Sequence, residues 1–433
     1  MSDKPKIDKR GFLKLMSPKK RPVNLFILIV SISAIIYTLI YLILGNGRFS
    51  DVFFTRCADF YMDFFNSIRD ASQGSRVYTE RGVIYPPMAN LFYLIMSRFT
   101  PTAYNNTSFD NIERYSWPDY SSPMMLVVIV SVAFAFIFFF IAYNAMKNGS
   151  SYRRFAFAFL AFFSVPVLYL IERGNIIILA LISLMIYAFT YNSEEKWKRE
   201  LGLIALAFSF SIKLYPVVFG WLLIADKRWK DALKCVIYGV LMLLLPSVFF
   251  GGPACFYYVF LNIFDFSTGS GSTLTTILNF IHMPDIGQTV FNLLVYLWVL
   301  ICGLSFAVSA FIRRNEQWKT WTLGLVTILC IPSLTSLYSW AFFIIPLIML
   351  FNKQKLSKAE WVYTVMMCVP FAFLPFRFSF FVSPNMVMVY AATAALSIWC
   401  VIDTVKELKL FINQKKAEGI SFKQYMKSLV SKD

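Results

Sequence analysis

Ile84-Tyr85-Pro86-Pro87-Met88-Ala89-Asn90-Leu91-Phe92-Tyr93-Leu94-Ile95-Met96-Ser97 is the stretch on which the topology of this chain turns. Its residues are apolar enough to enter lipid, and the proline pair suits the first turn of a helix. Fourteen residues rising about 1.5 Å each reach about 21 Å, short of the roughly 30 Å hydrocarbon core. If the stretch crossed, every later segment would invert. Without a crossing, the chain beyond residue 121 places 23 Lys and Arg on one face and three on the other, Arg173, Lys213 and Arg377. Cytoplasmic loops carry the excess of Lys and Arg, so a crossing would reverse a strong bias. The stretch is therefore expected to be an interfacial or re-entrant helix.

The same reasoning extends outward along the chain. Of 433 residues, 58% are hydrophobic and 15% charged, outside the range of soluble domains. Residues 1–22 hold eight Lys and Arg against two acids, which keeps a basic tail in the cytoplasm. The run 23–44 is long enough to span and lacks a small-residue cleavage pattern, so it reads as an uncleaved anchor. An outer loop, 45–121, comes next, with an amphipathic helix expected near 51–70. Further spans are expected at 122–146, 155–171, 175–192, 200–213, 214–225, 235–251, 287–312, 320–335, 338–352, 360–376 and 384–405, with a second outer loop at 252–286. The fold class is thus an all-α polytopic membrane protein of about 12 transmembrane helices. Its membrane domain covers 23–405 and a basic amphipathic cytoplasmic tail covers 406–433. Both termini face inward, and the setting expected is the plasma membrane.

The basic excess of +17 lies in short clusters between apolar runs. That is a topology signal and no continuous face for nucleic acid. Seven cysteines form no CxxC pair, and a single histidine, His282, rules against histidine-based metal sites and a Ser-His-Asp triad. A coupled transporter buries ionisable groups in mid-membrane, and the main spans hold almost none. The charge sits instead on the outer face, where nine of ten basic residues are arginine. Arginine forks grip phosphate and stay charged, which suits a substrate with an anionic head and a lipid tail. Outer carboxylates offer oxygen ligands, but no spacing demands a divalent cation.

Four motifs fall in order on this face: Asp59-Phe60 after the first span, Tyr85-Pro86-Pro87, Arg173-Gly174-Asn175, and Lys213-Leu214-Tyr215-Pro216 ahead of a basic Arg228-Trp229 loop. In that order they resemble glycosyltransferase family 87, of the GT-C superfamily, over about residues 23–250. The resemblance implies inverting transfer of a sugar, a hexose such as mannose by the family's habit, from a polyprenyl-phosphate donor. The acceptor would be a glycan or glycolipid at the outer leaflet, and an acid in the first outer loop would serve as general base. On the family pattern that acid is Asp59, with Asp63 the runner-up. A carboxylate within reach of the acceptor hydroxyl can take its proton, and fixed cations stabilise the departing phosphate. Arg173 and Lys213 are the expected phosphate ligands. Tyr85, Pro86, Pro87, Asn175, Tyr215, Arg81 and Glu172 are the expected pocket residues. The rival reading is a transporter or flippase of a lipid-linked saccharide, for which inverted repeats and polar groups through the bundle are missing from the sequence.

Overall fold

The computed structural model describes residues 22–44, 61–100, 121–268, 282, 284–313, 316–331, 336–353, 355–374 and 383–418. The described residues are all-helical, without strands. Asp59, the N-terminal tail to residue 21 and residues 419–433 lie outside them.

Long apolar runs give long rods. Helices Val23–Leu44 (α1), Ser121–Ala145 (α5), Trp229–Ser247 continuing to Phe250 (α11), Asp285–Ile312 (α13) and Pro384–Ala417 (α17) contain the five candidate membrane spans among the described residues. Each has 18 or more residues in an apolar window, enough to cross the hydrocarbon core. The pair Ser151–Phe162 (α6) and Val165–Glu172 (α7) passes the same test jointly, bent by 46° at Phe163-Ser164. Pro166 explains the break, since a proline near a helix start supplies no amide to the preceding turn. The remaining stretches expected to span form shorter helices, among them Ile177–Thr190 (α8), Lys196–Ile212 (α9) and the Tyr215–Ala225 pair.

The decisive stretch forms an 11-residue helix, Pro87–Ser97 (α4), with Pro87 in its first turn. At about 1.5 Å per residue it is about 16 Å long. It packs against α9, α11 and an amphipathic helix, Met62–Ser72 (α2). A short turn of helix, Arg76–Thr79 (α3), connects the two. Part of the stretch expected as the second outer loop is instead helix Cys255–Thr268 (α12). Its apolar residues recur at helical spacing, and only the short Gly251–Ala254 turn separates it from α11. The expected boundary at 405/406 falls inside α17, which is 34 residues long and at about 51 Å outruns the bilayer core.

The core lies among α6, α8, α9, the helix Gln317–Leu329 (α14) and the segment 337–351. Stacked rings lock it: Phe219 on Trp321 at 4.1 Å, and Trp340 on Phe343 at 4.1 Å. α9 fixes the ends of the bundle, because it begins at Lys196 and closes at Lys213. Around its first residues, Lys234 pairs with Glu200 at 2.8 Å and Arg228 with Asp231 at 2.6 Å. Its far end delivers Lys213 to the opposite face.

Candidate active site

The site begins with a sharp turn between α7 and α8. The α7 terminus closes as a Schellman motif, with Gly174 N donating to Ile171 O at 2.8 Å and Asn175 N to Leu170 O at 3.1 Å. Gly174 is left-handed, at φ +62. A Cβ there would stand 2.7 Å from the Cβ of Phe64. The glycine therefore serves two purposes, the turn and the close approach of α2. Gly174→Ala is expected to destabilise the protein by roughly 2–4 kcal/mol, of which about 1–2 is the left-handed penalty and the rest the clash. Thermal unfolding in nanodiscs checks this, and a wild-type midpoint would show that the tip yields without cost.

α2 docks on this turn through its backbone. Tyr61 N donates to Glu172 O at 2.7 Å and Asp63 N to Arg173 O at 3.1 Å. The docking aims the Asp63 carboxylate at the hairpin tip. Arg173 Nη2 donates to Asp63 Oδ1 at 2.5 Å, and Asn175 Nδ2 donates to Oδ2 at 2.9 Å. Both Asp63 and Arg173 keep 22% of their side-chain surface, so the pair is reachable from outside while largely withdrawn from water.

Asn175 joins this pair to the decisive stretch. It is buried, its Oδ1 accepts from Ile177 N at 3.0 Å, and its Nδ2 also reaches Tyr85 Oη at 3.1 Å. Tyr85 is fixed by its own carbonyl, which accepts from Tyr78 Oη at 3.0 Å and Asn90 Nδ2 at 3.3 Å. Burial, with Tyr93 and Asp63 nearby, pushes the Tyr85 phenol well above its usual range, so it stays neutral and keeps its proton. Lys213 Nζ lies 4.3 Å from the centre of the Tyr85 ring, a cation–π contact at the break between α9 and the Tyr215 turn.

One chain of contacts thus runs Arg173, Asp63, Asn175, Tyr85, Lys213. Two cations flank one carboxylate, and a neutral phenol sits between. Such a cluster can hold a phosphate or phosphate ester between fixed positive groups. Of the other expected pocket residues, Tyr215 packs its ring on Phe342 at 5.7 Å, and Pro86 and Pro87 start α4. Glu172 is buried and receives Tyr61 through its carbonyl. Arg81 approaches Asp70 at 4.0 Å, two helical turns along α2 from Asp63. Among the described residues no three His, Cys, Asp or Glu side chains gather closely enough to hold a metal ion.

Sequence reasoning missed three tyrosines. Tyr93 accepts from Ile176 N at 3.2 Å and braces the hairpin. Tyr169 stacks on Tyr338 at 6.0 Å, and Tyr338 lies within the fields of both Asp63 and Arg173. Tyr93 comes one turn after Asn90 on the buried face of α4, a spacing visible in the sequence. Nothing local marks Tyr338, which comes from the far half of the chain.

Residues 84–336 match the sequence model of glycosyltransferase family 87. No curated protein and no solved structure matches the chain.

Proposed function

The chain belongs to glycosyltransferase family 87, matched over more than half its length, and from that membership and the cluster above we propose a polyprenyl-phosphate-sugar-dependent hexosyltransferase. It moves one sugar, a hexose such as mannose, onto a glycan or glycolipid acceptor at the extracytoplasmic face of the plasma membrane. The chain crosses the bilayer about twelve times with both termini inside, its membrane domain covers 23–405 and its basic tails are 1–22 and 406–433. α4 stays on the outer side as a re-entrant or interfacial helix. The observation that carries this reading is the convergence of Asp63, Tyr85, Arg173, Asn175 and Lys213 from four separate segments.

In the proposed reaction the acceptor hydroxyl oxygen attacks the anomeric carbon opposite the phosphate. The bond from that carbon to the phosphate oxygen breaks, its electron pair leaves with the polyprenyl phosphate, and the anomeric centre inverts. The hydroxyl proton passes to Asp59 as general base. Arg173 and Lys213 hold the phosphate as its charge grows. Asp63 receives both Arg173 and Asn175, which supports a role in setting the Arg173 fork, with proton transfer as its second reading. Tyr85, Asn175, Tyr215, Arg81 and Glu172 shape the pocket, and Pro86-Pro87 sets the helix beneath it.

The test is reconstitution in vesicles with mannosyl and other hexosyl polyprenyl phosphates. Expected is release of one polyprenyl phosphate per glycosidic bond, with an inverted anomer in the product. Transfer from a nucleotide sugar alone, or retention at the anomeric carbon, would overturn the proposal. Within the same assay, Lys213→Met is expected to lower kcat/KM for the donor roughly 10- to 100-fold, the worth of one hydrogen bond to a charged group. Lys213→Arg should restore part of it, and an unchanged kcat/KM in Lys213→Met would remove the lysine from the phosphate site.

A further inference from the structure

From Cys235 to Phe264 the chain carries no charged residue. α11 accounts for the first part and crosses the bilayer, with Leu233 and Leu245 over 60% exposed on its outer surface. At Gly251 and Gly252, both left-handed at φ +91 and +73, the rod ends. The chain then enters α12, 14 residues long. At about 21 Å it is too short to cross.

The two faces of α12 are unlike. One face carries Cys255 and Val259, buried against Val77, Tyr78 and Phe250. On that side Asn262 Nδ2 donates to Tyr78 O at 3.0 Å and Val83 O at 3.1 Å. The opposite face shows Tyr257 at 65%, Phe260 at 64%, Leu261 at 42% and Phe264 at 65% exposure. These positions are i, i+3, i+4 and i+7, a single stripe on a helix. A stripe of that size in water is rare. It is also continuous along the chain with the lipid-facing surface of α11, through exposed Val248 and Phe249.

We propose that α12 lies in the leaflet on the site side, its Tyr257–Phe264 stripe sunk among lipid chains at the headgroup boundary. The occupant is lipid and no second protein, because the stripe extends the lipid surface of a spanning helix and is made of the aromatic and aliphatic residues that settle there. Asn262 makes this more than an anchor. It clamps the two ends of the Tyr78–Val83 segment, and Tyr78 in turn holds the Tyr85 carbonyl. The bilayer surface thereby sets the depth of Tyr85. The depth claim rests on the site assignment above; the lipid contact does not.

The test uses the full-length protein in nanodiscs loaded with one copy each. A water-soluble polymer maleimide is reacted with Phe260→Cys and, separately, Tyr257→Cys, with Glu80→Cys as the water-exposed reference. Expected is labelling of both α12 positions at least roughly tenfold slower than position 80, as for a residue withdrawn among lipid. Equal rates would overturn the proposal. So would rapid disulfide formation between two copies carrying Phe260→Cys in native membranes, which would make the occupant a second chain. Hydroxyl-radical footprinting of the unaltered protein, reading Tyr257 and Phe260 by mass, repeats the measurement without any variant. None of these readouts depends on sugar transfer, so their failure and failure of the enzymatic reading are separable.

Discussion

Asp59→Asn is expected to lower kcat by roughly 10²- to 10⁴-fold, the usual share of a positioned general base, while insertion, folding and affinity for the lipid phosphate persist. The amide keeps the size of the carboxylate and loses only its ability to take a proton. Single-turnover transfer measured beside binding of polyprenyl phosphate separates the two quantities. A variant that turns over normally would place the base elsewhere, and Asp63→Asn identifies where. Asp63 meets Arg173 at 2.5 Å and Asn175 at 2.9 Å, so an amide there leaves a half-buried guanidinium short of its counter-charge. The expected result for Asp63→Asn is therefore weaker donor binding and a stability loss of about 1.5–3 kcal/mol, with a smaller fall in turnover. The reverse pattern, with Asp63→Asn binding normally and inactive, would make Asp63 the base.

Arg173→Ala is the second large effect. If Arg173 holds the donor phosphate as proposed, its removal is expected to lower kcat/KM for the donor roughly 10²-fold. Arg173→Lys should recover little, since an ammonium cannot reproduce the planar fork. The variant also leaves Asp63 without its cation, so part of the loss is structural. A double-mutant cycle with Asp63→Ala isolates that part: the double variant should lose clearly less than the sum of the singles. Unchanged affinity for polyprenyl phosphate in Arg173→Ala would remove the phosphate role.

The fold and the site were legible to different depths. Apolar runs without charges announced the five long spans, because length and hydropathy are local properties that lipid enforces. The shortness of Ile84–Ser97 was equally local, and α4 is 11 residues long. Broken elements were harder. Val165–Glu172 is bent by 46° from Ser151–Phe162 beside Pro166, and hydropathy alone reads through such a break. α12 was read as loop because its stripe sits among glycines and serines whose turn signal dominates a composition count. Arg173, Asn175, Tyr85 and Lys213 were picked out by the family pattern. The pairing of Arg173 with Asp63 was not, since the two lie 110 positions apart. Docking of the α2 backbone on the turn decides that partnership, through Tyr61 and Asp63 amides. Asp59 falls outside the described residues and Tyr338 is reached only through tertiary packing.

The Arg173–Asp63 contact joins residues 110 positions apart. During synthesis at roughly 5–20 residues per second, the aspartate emerges on the order of 5–20 s before its partner. Throughout that interval the nascent loop holds Asp63 without Arg173, and closure of this contact must await the hairpin tip. A ribosome stalled before the α7–α8 turn would therefore leave this centre still in pieces. Arrival of Gly174 and Asn175 is the step that draws it shut.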